Sequence, residues 1–135
     1  MIQRIQSVLL LLAAVLNVSV YFNALFQHAT NDPQAWVGWG FALMLGLSTL
    51  GALGCIFLYR DRPGQVRWIG RSLVVQVTTL GYALGILVSL GGFGPFLWDE
   101  AVGVLIVALA LAAQLYARKK VRDDEELVRS MDRIR

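Results

Sequence analysis

WVGWGFALMLGLSTLGALGCIFLY (36–59) runs for 24 residues without an Asp, Glu, Lys or Arg, and RDRPGQVRWIGR (60–71) follows it at once with four arginines. At ~1.5 Å per residue such a run crosses the ~30 Å of bilayer hydrocarbon, and the arginines mark the side on which it stops. Three more stretches have the same character: 8–26, 72–90 and 96–116, the last interrupted only at its edge by Asp99 and Glu100. The composition agrees, with 57% hydrophobic and 16% charged residues against ~45–50% and ~25% in soluble domains. The expected fold is therefore all-α: a polytopic membrane protein built as an antiparallel four-transmembrane-helix bundle (1–117), followed by a charged cytoplasmic C-terminal helical extension (118–135). The first stretch is read as a retained helix. A cleaved leader has an apolar core of ~7–15 residues and a small-residue cleavage site, whereas 8–26 is longer and ends in Phe26, Gln27 and His28.

Orientation follows from charge placement. All twelve Lys and Arg fall in three segments: Arg4; Arg60, Arg62, Arg67 and Arg71; and seven from Arg118 to Arg135. The other two connections hold only Asp32, Asp99 and Glu100. Basic flanks stay in the cytoplasm, which puts both termini and the central loop inside. A net charge of +3 distributed in this way is a topology signal, and nucleic acid is not an expected partner. Aromatics fit the same frame, with Phe22, Phe26, Trp36, Trp39, Phe93, Phe96 and Trp98 at the outer ends and Tyr59, Trp68 and Tyr116 at the inner ends, as interfacial belts. An aromatic cage at Trp36 and Trp39 is the alternative.

Short connections, 27–35, 60–71 and 91–95, make sequential helices antiparallel neighbours. Pro63 and Gly64 read as a turn. Between lipid-solvated helices close packing replaces hydrophobic burial as the main attraction, so small residues mark the seams. Gly38, Ala42, Gly46 and Gly54 form one ridge on the second span, and Gly81, Gly85 and Ser89 form another on the third. The two ridges are expected to pack together, a homodimer interface being the competing use. Asn17, Ser48, Thr49 and Tyr82 fall near the bilayer midplane by helical rise, where the Asn17 amide is expected to bond to one of the other three. A substrate site is the alternative for this cluster. The closing segment pairs charges four apart (Lys119 with Asp123, Lys120 with Asp124, Arg122 with Glu126), and only Glu125 with Arg129 has the acid-first order. Leu127, Val128, Met131 and Ile134 give it a thin apolar stripe suited to a partner helix or the membrane surface; a solvated extension needs neither.

The opening MIQRIQSVLLLLAA (1–14) and the close DEELVRSMDRIR (124–135) resemble a small four-helix membrane protein family of Bacteroidetes-type bacteria, catalogued as a domain of unknown function, number 4293. The resemblance implies a bacterial inner membrane and no assigned activity. It is carried by 1–6 and 124–135, which the charge rule independently places on one side.

Several chemistries lack their minimum residues. Haem between helices wants paired axial ligands, and His28 is the only histidine. A thiol relay needs two cysteines, and Cys55 stands alone, read as a small packing residue. No span carries a carboxylate at depth, as proton-coupled exporters do. Zinc ligand sets and nucleophile constellations are missing too, and Asp99 and Glu100 read as solvated interfacial charges. No enzyme, cofactor or metal is expected. The expected role is an accessory or interaction subunit of a larger inner-membrane complex, or a homo-oligomer, docking through Arg4 and the stripe at Leu127, Val128, Met131 and Ile134. The alternative is a small transporter or lipid-handling protein using the midplane polar groups.

Overall fold

Asn23 decides the shape of the first apolar stretch. Its backbone is extended (φ −91°, ψ 154°) and its Oδ1 accepts from the Leu25 N–H at 2.9 Å, so it closes off one helix and caps the next. In the computed structural model, which describes residues 2–58, 60–91 and 97–134, the expected single span 8–26 is two helices, α1 (Ile2–Val20) and α2 (Ala24–Thr30), set at 53°. Three longer helices follow: α3 (Ala35–Phe57), α4 (Arg62–Ser89) and α5 (Trp98–Ile134). Among the described residues the secondary structure is all-α. The helices α3, α4 and α5 are each long and apolar enough to cross a membrane, and the bent α1–α2 pair counts as a fourth crossing if taken as one span. Tyr59, Phe93 and Phe96, expected in the aromatic belts, lie outside the described residues.

The sequence-based boundary fails most at α4, which starts ten residues before the expected 72. Pro63 and Gly64 are not a turn but the first turn of the helix. Proline is tolerated there because a first-turn N–H has no partner inside the helix anyway. Asp61 precedes it as the cap, its side chain accepting from the Gly64 N–H at 3.2 Å. The charged closing segment continues the last apolar stretch as one helix, since α5 runs unbroken for 37 residues, ~55 Å of helix.

Side-chain pairings give the topology. Along α4 and α5, Gly70 lies by Arg118, while Gln76 reaches both Gln114 and the Val107 carbonyl. Along α3 and α4, Ser48 meets Thr79 and Gln65 meets Cys55. Rising numbers on one helix match falling numbers on the next, so these neighbours are antiparallel. The helix α1 packs on α3 and α5, and α4 packs on the same two, leaving α1 and α4 diagonal. The core has three levels: a bulky one around Phe41, Leu45, Leu87 and Val107 at the end where α2 lies; a middle one of Ala13, Ala14, Ala52, Ala110 and Ala113; and one around Leu10, Ile69, Leu73 and Val121 at the end where α1 and α4 begin.

The small-residue ridges do not meet as expected. A Cβ on Gly38 would lie 3.0 Å from the Ala29 carbonyl oxygen of α2, and one on Gly46 would lie 3.4 Å from the Tyr21 hydroxyl, which donates to the Ala42 carbonyl at 2.7 Å. The α3 ridge thus receives the α1–α2 elbow. Gly54, Gly81 and Gly85 have no neighbouring atoms within 4 Å at that position, and Ser89 is exposed. The reason is the polar content of α4. Gln65, Ser72, Gln76 and Thr79 occupy one face and are all buried, which turns the opposite face, with Gly81 and Gly85, outward. The α3–α4 seam uses Gly40 under the Tyr82 hydroxyl and Gly51 against Ser72.

Candidate functional site

Three groupings of polar side chains stand out, one at each level of the bundle. In the middle, alanines leave room that long amides fill. Asn17 on α1 and Gln76 on α4 exchange two hydrogen bonds: Asn17 Nδ2 donates to Gln76 Oε1 at 2.9 Å, and Gln76 Nε2 donates to Asn17 Oδ1 at 3.1 Å. Gln76 Nε2 also donates to the Val107 carbonyl at 3.3 Å, and Gln76 Oε1 accepts from Gln114 Nε2 at 3.1 Å. Ser72 Oγ donates to Gln114 Oε1 at 3.3 Å. Both donors and both acceptor positions of Gln76 are therefore used. One step away Ser48 and Thr79 share a 2.8 Å hydrogen bond between α3 and α4.

The midplane expectation is corrected by this geometry. Asn17 is buried and bonded across the bundle, but to Gln76 and not to Ser48, Thr49 or Tyr82. Thr49 donates back to the Leu45 carbonyl within its own helix. Tyr82 lies nearer the α2 end, donating to the Val37 carbonyl at 3.1 Å and stacking on Phe41 with ring centroids 5.8 Å apart. Sequence reasoning missed Gln76, Gln114, Ser72 and Thr79. The available signal was the spacing of Gln65, Ser72, Gln76 and Thr79 by seven, four and three residues, which is one helical face.

At the α2 end of the bundle Glu100 corrects a second expectation. It is 5% exposed rather than solvated, and its Oε1 lies 2.7 Å from His28 Nε2 of α2. The pair depends on the Asn23 elbow folding α2 over the start of α5, and on Gly103, where a Cβ would collide with Asn23 Oδ1 and Leu25. A carboxylate in the first turn also suits the positive end of the α5 dipole. Asp99 is exposed, as expected. Phe26 leaves the belt for the interior, edge-on to Tyr21 at 4.9 Å, while Phe22, Trp36, Trp39 and Trp98 are exposed.

At the opposite end, where α1 and α4 begin, α5 continues past its apolar run while still packed. Val121 is buried among Leu10, Ile69 and Leu73. Asp124 pairs with Arg62 of α4 at 3.5 Å rather than with Lys120, whose Nζ sits 5.2 Å from the centre of the Tyr116 ring. The acid-first pair, Glu125 with Arg129, forms at 2.8 Å. Ile5 of α1 joins Lys120, Asp124 and Leu127 around a groove of about 170 Å³, so the start of α1 and the tail of α5 adjoin. Beyond it Leu127, Val128 and Met131 are 53%, 37% and 61% exposed, and Arg4 is exposed. The Ile134 side chain lies outside the described residues. Among the described residues, the buried donor atoms Gln6 Nε2 and Arg118 Nε at this end have no acceptor.

The family model that matches the chain is a domain of unknown function (DUF4293), over residues 32–134. The match takes in the closing segment through 134 and the whole of α3 to α5, and leaves the opening residues 1–6 outside it. No curated protein and no solved structure matches the chain.

Proposed function

This chain belongs to the DUF4293 family of domains of unknown function, and we propose that it is a non-catalytic accessory subunit of a bacterial inner-membrane complex, crossing the bilayer four times with α1–α2 as one bent span. Both termini are cytoplasmic in this reading, on the strength of the Lys and Arg partition. The observation that carries the docking role is the tail of α5. Its own bundle covers it as far as Val121 and Asp124, and then a helix continues with Leu127, Val128 and Met131 exposed. Full burial of such a side chain is worth ~1.5–3 kcal/mol, and only a second surface supplies it. The start of α1, with Arg4 and Ile5 beside the tail, forms part of the same docking surface. The midplane amides serve the bundle, since Asn17, Gln76 and Gln114 are buried and bonded to one another.

Removing 127–135 tests this reading and leaves the Arg62–Asp124 pair in place. The truncated chain is expected to insert and elute like the full one while losing a stoichiometric membrane partner in native pull-downs. Retention of every wild-type partner would refute it.

A further inference from the structure

The inner ends of α4 and α5 carry cations that the protein leaves unpaired. Leu115, Arg118, Lys119, Arg122, Asp123 and Glu126 line a groove of about 340 Å³. Among the described residues Arg118, Lys119 and Arg122 form no ion pair, although two carboxylates share the groove. Arg118 is the notable one, because its Nε is buried without an acceptor and a buried unmet donor costs ~1–3 kcal/mol. Its guanidinium lies across the seam against Gly70 of α4, with Nη2 3.7 Å from where a Cβ would be. Arg67 and Arg71 flank that glycine in sequence.

Height is set by aromatic rings. Arg71 sits 5.2 Å from the centre of the half-exposed Trp68 ring, and Lys120 has the same relation to Tyr116. Trp and Tyr favour the headgroup level, so these cations lie where phosphates lie. Toward the hydrocarbon the flanks of the seam turn apolar and open: Leu115 on α5, with Val74 and Val77 one and two turns on from Gly70, are 50%, 68% and 55% exposed. A cationic groove above an apolar track complements an anionic phosphate head on an acyl chain.

We infer that this α4–α5 seam binds one anionic phospholipid, with Arg118 turning its Nε edge to the phosphodiester, Arg122 and Lys119 adding charge, and an acyl chain lying along Leu115, Val74 and Val77. The placement in the inner leaflet rests on the proposed topology; the binding chemistry does not. The full chain in symmetric nanodiscs therefore tests it without regard to orientation, by native mass spectrometry with phosphatidylglycerol titrated against phosphatidylcholine. The wild type is expected to retain phosphatidylglycerol preferentially. Arg118→Gln is expected to weaken it about fivefold, as for one cation lost at the headgroup level, and Arg118→Lys less than that. Arg122→Gln, at an exposed position, gives a smaller loss in the same direction and serves if Arg118→Gln fails to fold. Arg133→Gln, beyond the groove, is expected to change nothing. Equal retention of both lipids, displacement by free inorganic phosphate, or wild-type affinity in a folded Arg118→Gln or Arg122→Gln protein would overturn the inference. Cysteine labelling of the two membrane sides decides the topology separately.

Discussion

Asn17 and Gln76 hold each other by two reciprocal amide hydrogen bonds, 2.9 and 3.1 Å, from diagonal helices of the bundle. Gln114 and Ser72 extend the link. Gln76→Leu strands the Asn17 amide in an apolar layer of alanines and is expected to cost ~1–3 kcal/mol, read as a lower midpoint of thermal unfolding in detergent. Adding Asn17→Leu removes the orphan and is expected to recover part of the loss. A double variant worse than the sum of the singles would show that the pair is not what joins the diagonal.

His28 and Glu100 fasten the α2 elbow to α5. His28→Ala leaves a buried carboxylate without its partner, whereas Glu100→Gln keeps a hydrogen-bonding group of the same shape. The first is expected to loosen α2 more, seen as faster amide exchange across 24–30 than in the second. Equal exchange in the two variants would mean that the pair does not hold the elbow.

Glycine substitutions separate a packed position from an open one. Gly103→Ala drives a methyl into Asn23 and Leu25 and is expected to destabilise by ~1–3 kcal/mol. Gly81→Ala meets open space and is expected to be neutral or to stabilise by up to ~1 kcal/mol through helix propensity. A reversed order in thermal unfolding would contradict the helix rotation described for α4.

The helical, membrane-like character was legible because it rests on long apolar runs, and the structure gives three helices apolar enough to cross a membrane, with the bent α1–α2 pair as a fourth if taken as one span. The internal contacts were less so. Asn17 read correctly as buried and bonded, but its partner was sought among hydroxyls at the same depth. Depth alone selects Asn17, Ser48, Thr49 and Tyr82, whereas Gln76 is marked by the helical face it shares with Gln65, Ser72 and Thr79, and Gln114 by no pattern within its own helix. The face that Gln76 shares with Ser72 and Thr79 on α4 also decides which way Gly81 and Gly85 point, so one omission produced both the wrong partner and the wrong ridge. The His28–Glu100 pair joins residues far apart in the chain through a bend at Asn23, and nothing in apolar periodicity marks that bend. Pro63 was read by its usual role in turns, while Asp61 before it was the cap that makes a first-turn proline comfortable.

Topology has a direct assay. With buried Cys55 replaced by Ala, a single cysteine at Thr30 is expected to react with an impermeant maleimide on intact spheroplasts. Cysteines at Arg67 and Ser130 are expected to react only after permeabilisation. The opposite pattern would invert the orientation.

The docking claim is tested most directly by a photo-crosslinking residue placed at Met131 in the full chain in cells, with the same residue at exposed Leu105 in the apolar part of α5 as the reference. A discrete protein adduct from Met131, absent from Leu105 and identifiable as one membrane partner, is the expected result. Met131 yielding no protein adduct, or only the diffuse products seen at Leu105, would contradict an accessory role for the α5 tail.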